Sequence, residues 1–94
     1  MDATSDKSSS TRRRIRSIEV GFRVIRALLA AQRPSPLRDI AAAAGMPPSK
    51  AHLYLASLVR EGMAWQDPET GHYGLGPFAL RLGLSALRQL SIVD

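Results

Sequence analysis

A chain of 94 residues has room for one small domain, and a domain of that size buries only about 60% of its unfolded surface, so help from a partner chain is expected. The absence of cysteine excludes a disulfide framework and a thiolate metal site, and two histidines, His52 and His72, are too few for a metal centre unless carboxylates join them; no metal or cofactor is expected. Thirteen Lys and Arg against eight Asp and Glu give a net charge of +5 and a pI near 10.8, which favours polyanionic partners such as DNA, while no apolar run approaches the roughly 20 residues of a membrane span.

Met1 to Ser10 is small and polar and is expected to be disordered. TRRRIR, Thr11 to Arg16, adds four arginines to that tail, so residues 1–16 read as a disordered basic arm. It is either a solubilising tail or an arm whose Arg13 and Arg14 lie on a DNA backbone or in a minor groove. The arm has no apolar signal-peptide core, so the expected location is the cytoplasm, associated with the nucleoid if the source is bacterial.

Ser17 is placed to cap a helix running from Ile18 to about Gln32, with Glu19 in its first turn and Pro34 stopping it. Its wheel carries two apolar faces. Ile18, Phe22, Ile25 and Leu29 form one, and Val20, Val24, Ala27 and Leu28 the other, separated by a narrow polar strip of Glu19, Arg23 and Arg26. An ordinary surface helix has a single stripe. Two faces imply two burials, one in the domain core and one against a second subunit.

Leu37 to Gly62 is the most informative stretch. Ser35 or Pro36 opens a helix to Ala44 with Leu37, Ile40, Ala41 and Ala44 inward, and Gly45 supplies the left-handed turn residue. A second helix spans Pro48 to Glu61, with Ala51, Tyr54, Leu55 and Leu58 inward. Ser49, Lys50, His52, Leu53, Ala56, Ser57 and Arg60 face outward, the form of a DNA-reading helix. Ala64-Trp65-Gln66 and His72 to Leu75 read as strands around the turn Asp67-Pro68-Glu69-Thr70-Gly71, with Trp65 anchoring this wing to the core. Pro77 starts a last helix to about Ile92 whose leucines cover more than one face, so it pairs with another chain or links to a further domain.

Together SIEVGFRVIRALL, LRDIAAAAGMPPSKAHLYLASLVREG and DPETGHYGLGPFALRLG resemble the N-terminal DNA-binding domain of the IclR family of bacterial transcription regulators. The resemblance implies a mainly α fold with a small β-hairpin, a winged helix-turn-helix over 17–76. A linker and dimerisation helix over 77–94 follows, cut short before an effector domain. It also implies dimerisation through the first and last helices, binding to near-palindromic double-stranded DNA, and a small-molecule effector only through a C-terminal domain absent here. The expected assembly is a homodimer, or a tetramer in a full-length form. One position departs from the family pattern: an Arg usually follows the His or Tyr of the reading helix, and here Leu53 does.

The candidate DNA contacts are Ser49 and Lys50 in the first turn of the reading helix, His52 and Leu53 on its outward face, Arg13 and Arg14 in the arm, and Thr70 and His72 at the wing tip. Capping is the alternative for Ser49, an idle surface position for His52, and a plain turn role for Thr70 and His72. Leu53 is able to touch a thymine methyl but not to grip a guanine or a phosphate. The candidate dimer contacts are Ile18, Phe22, Leu80, Leu84 and Leu87. Asp39, Glu61, Asp67 and Glu69 stand at caps, helix ends or turns, and no nucleophile has a base at a recognisable spacing, so an enzyme is not expected. The rival to DNA reading is a protein-interaction module, favoured by Leu53 and the broad apolar faces.

Overall fold

The computed structural model describes residues 13–90; the expected disorder of Met1 to Ser10 and the expected helix end at Ile92 lie outside them. Four helices and one hairpin follow in the order α1 (Arg16–Ala31), α2 (Leu37–Ala44), α3 (Pro48–Arg60), β1 (Ala64–Gln66), β2 (Tyr73–Leu75) and α4 (Pro77–Leu90). The fold is mainly α with an antiparallel two-stranded wing, as the sequence predicts.

The core gathers one face from each of three helices: Val20, Val24, Ala27 and Leu28 of α1, Ile40, Ala41 and Ala44 of α2, and Ala51 and Leu55 of α3. Met46, Ala64 and Tyr73 complete it. Alanine supplies five of these twelve side chains, so the helices approach closely around a few larger groups, of which Ile40, Leu55 and Val24 are the most enclosed. Of the two apolar faces of α1, the Val20 and Val24 face is buried, while on the other Ile18, Phe22 and Leu29 are exposed and Ile25 is half-buried.

Several local expectations need correction. Ser17 does not cap α1, because the helix already begins at Arg16, with Ile15 at the cap and no side-chain cap bond. Arg16, read above as the end of the arm, is therefore helical. Pro36 is the cap of α2 and not its first residue, and β2 begins at Tyr73, one residue after His72. Trp65 is no core anchor. It is 42% exposed, and the buried wing residues are Ala64 and Tyr73. Alternation explains this: with Ala64 inward, the next residue along an extended strand points to the opposite face.

The wing is tied to the core at a place the sequence did not advertise. The Ser35 N–H donates to the Tyr73 carbonyl at 2.9 Å and the Tyr73 N–H donates back at 2.8 Å, a β-bridge linking the α1–α2 connection to the hairpin. α4 is held chiefly at its start, where the N–H groups of Gly76 and Phe78 reach the carbonyls of Met63 and Gly62, both at 2.9 Å. Among its described residues none is buried.

Candidate nucleic-acid interface

The helix-turn-helix is α2, Gly45 and α3. Gly45 adopts φ 72°, the left-handed conformation that only glycine takes without strain, and its N–H closes on the carbonyl of Ala42 at 3.1 Å. The turn is also clamped from outside. Arg23 of α1 donates from Nε to the Ala44 carbonyl at 3.0 Å, and from Nη2 to the carbonyls of Ala44 and Gly45 at 2.8 and 2.7 Å. One guanidinium thus satisfies carbonyls that a helix end leaves without partners and adds positive charge where the dipole is negative. The sequence placed Arg23 in a solvent strip; only its three-dimensional reach to residues 21 and 22 positions away reveals this role.

α3 presents Ser49, His52 and Leu53 to solvent, with Lys50 half-buried beside them. Leu53 is 68% exposed, so its outward placement agrees with the helical wheel. The amide supply at the helix start is smaller than the sequence reading assumed. Pro47 and Pro48 carry no N–H, and the Lys50 and Ala51 amides both bond the Pro47 carbonyl, at 3.1 and 3.0 Å. Among the described residues, the Ser49 amide alone in that turn has no intramolecular partner. An anion at this end would meet mostly side chains: the Ser49 hydroxyl and the Lys50 ammonium.

At the wing tip the Thr70 hydroxyl accepts the His72 N–H at 3.1 Å, the Asp67 carboxylate accepts the Glu69 N–H at 2.9 Å, and the Gly71 N–H returns to the Asp67 carbonyl at 2.8 Å. These bonds give Asp67 and Thr70 turn-forming roles. Thr70 remains exposed and His72 half-buried. Arg13 and Arg14 are exposed ahead of α1, and Arg14 Nε lies 2.8 Å from a carboxylate oxygen of Glu19. An ion pair this exposed contributes at most about 1 kcal/mol, so a phosphate is able to displace Glu19. Ile18, Phe22, Leu80, Leu84 and Leu87 are all exposed, and the last three line an open apolar groove of about 510 Å³ on α4 with Leu75 and Ala79. Among the described residues no group of three or more His, Asp or Glu is placed to hold a metal, and no helix is long and apolar enough to cross a membrane.

The family model for the IclR helix-turn-helix domain matches residues 17–68. The glycerol operon regulatory protein of Streptomyces coelicolor is 39% identical over 75 residues, which cover 80% of this chain and 30% of that protein. Its namesake in Streptomyces griseus is 40% identical over the same length and shares. This chain therefore spans 30% of the length of these curated relatives. Among solved structures, HmgR of Pseudomonas aeruginosa superposes with a TM-score of 0.78 at 43% identity, over 84% of this chain and 34% of that one. An IclR family transcriptional regulator from Brucella abortus gives 0.71 at 27% identity, over 92% and 32%. Relatives named as regulators do not favour the interaction-module alternative, nor an enzyme. With the geometry of α2, Gly45 and α3 and the match over 17–68, the chain belongs to the IclR family and carries its helix-turn-helix DNA-binding domain.

Proposed function

We propose that this chain is the DNA-binding part of a bacterial transcription regulator that works as a homodimer in the cytoplasm, on the nucleoid. α3 lies in the major groove, where Ser49 and Lys50 meet phosphate and His52 and Leu53 meet base edges. Thr70 and His72 of the wing approach the backbone, and Arg13 and Arg14 extend along it. The observation that carries this reading is the outward face of α3, free of core contacts and set at a fixed angle by the Gly45 turn and the Arg23 clamp. The division into an arm that ends at Ile15, a winged domain over 16–76 and a linker helix from Pro77 onward is part of the same proposal.

Dimerisation is assigned to Ile18 and Phe22 of α1 and to Leu80, Leu84 and Leu87 of α4. An exposed apolar surface of this extent is unusual on a monomer, and a second copy offers the same surface in return. No small-molecule effector is assigned to these residues.

The test is a titration of labelled double-stranded DNA with the chain at a series of KCl concentrations. The logarithm of the affinity should fall linearly with the logarithm of salt, by about 0.9 for each phosphate contact. Absence of salt-dependent binding to random duplex would overturn the reading.

A further inference from the structure

The exposed side chains of α3 at three- and four-residue spacing include Ser49, His52, Leu53, Ala56, Ser57 and Arg60. Their chemistry is unusual for a base-reading surface. The strongest base contacts are bidentate, Arg or Lys to guanine and Asn or Gln to adenine. α3 contains no Asn or Gln, and its single guanidinium, Arg60, stands in the last turn, about 10 Å along the axis from Leu53. Lys50 is at the helix start, the position assigned above to a phosphate contact. Between them His52 and Ser57 flank an apolar pair, Leu53 at 68% exposure and the Ala56 methyl one turn on. Leu53 takes no part in the core or in the partly buried shell around it.

The major groove offers one apolar group for such a surface, the C5 methyl of thymine. We propose that Leu53, flanked by Ala56, selects thymine through that methyl, so that each half-site bound by this chain carries a thymine at one fixed position. The proposal rests on α3 being the DNA-reading helix. An isobutyl group cannot accept or donate a hydrogen bond, so any base presenting only polar groups at that point leaves them without a partner and loses affinity. The same contact explains how α3 reads sequence without the arginine that the family pattern places after the histidine.

The experiment selects binding sites from a random double-stranded library with the unaltered chain at fixed salt. It then replaces each thymine of the selected duplex by deoxyuridine, which deletes only the methyl. Replacement at one thymine per half-site should weaken binding about fourfold per contact, the factor carried by burying one methyl-sized group. Replacement elsewhere should change little. Leu53→Ala should erase the thymine-over-uracil ratio while keeping the salt slope, and Leu53→Arg should shift selection at that position towards guanine. Thymine and uracil duplexes that bind equally well, or a ratio that survives Leu53→Ala, would overturn the proposal. Salt-dependent binding with no selected sequence would overturn it too, while leaving DNA binding intact. No salt-dependent binding at all would instead remove the assignment of α3, and the thymine contact with it.

Discussion

Arg23 shows how much one side chain settles. Its guanidinium makes three hydrogen bonds to the carbonyls of Ala44 and Gly45, joining α1 to the turn that aims α3. Hydrogen bonds from a charged donor each contribute more than neutral ones, so Arg23→Met is expected to cost about 2 kcal/mol, read as a fall of roughly 10 °C in the thermal midpoint. Arg23→Lys should recover only part of the loss, because one ammonium cannot reproduce the two-nitrogen fork. Gln32 predicts the opposite sign. It ends α1 with φ 63°, the sole non-glycine residue with positive φ among those described, and its amide side chain only reinforces the bond to the Leu29 carbonyl at 3.3 Å. Gln32→Gly is expected to stabilise the domain by about 1 kcal/mol, because glycine takes this conformation without the clash that a Cβ makes with its own carbonyl. Calorimetry on both variants checks the two signs together.

At the scale of elements, α4 depends on its first turn. A Cβ on Gly76 would run into the carbonyl oxygens of Gly62 and Ala64, the latter at 2.6 Å, and neither backbone is free to move without breaking the wing. Gly76→Ala should therefore cost about 2–3 kcal/mol, the upper part of the range for forced overpacking, and loosen α4 from the hairpin. Hydrogen exchange would then quicken along α4 and at the residue-76 amide, which donates to the Met63 carbonyl, and protection of Leu55 would follow only the global stability. The three helices of the winged core were legible in the sequence, since Val20, Val24, Ile40, Ala51 and Leu55 follow the 3.6-residue period and Gly45 marks the turn. The starts at Pro48 and Pro77 were legible too, while those at Arg16 and Leu37 were not. Ile15, Pro36 and Pro47 stand at the caps without side-chain cap bonds, so the usual Ser or Thr signal misleads at Ser17. The outward face of α3 was equally legible, whereas the Ser35–Tyr73 bridge and the Arg23 clamp join residues far apart in sequence and leave no periodic trace.

At the scale of the whole molecule, the apolar surface of α1 and α4 bears on how the outward face of α3 binds. Leu80 and Leu87 are 63% and 65% exposed and Phe22 46%, with the Arg26 guanidinium 5.9 Å from its ring centre, so much of this apolar surface is left uncovered by the described residues. A dimer that buries them would present two copies of α3, and the second would bind at the high effective concentration set by the first. Sedimentation at tens of micromolar should then give twice the chain mass, and Leu84→Glu with Leu87→Glu should halve it while leaving helical circular dichroism intact, since neither leucine is buried. The same pair of variants sharpens the Lys50 test. Lys50→Ala removes one phosphate contact from each reading helix, so the slope of log affinity against log salt should fall by about 1.8 in the dimer and by about 0.9 in the monomer. Preferred sequence should be the same before and after the change, because a phosphate contact positions the helix without naming a base. A slope that drops equally in both assemblies would mean that only one α3 meets DNA, and a changed sequence preference would move Lys50 from the backbone to a base edge.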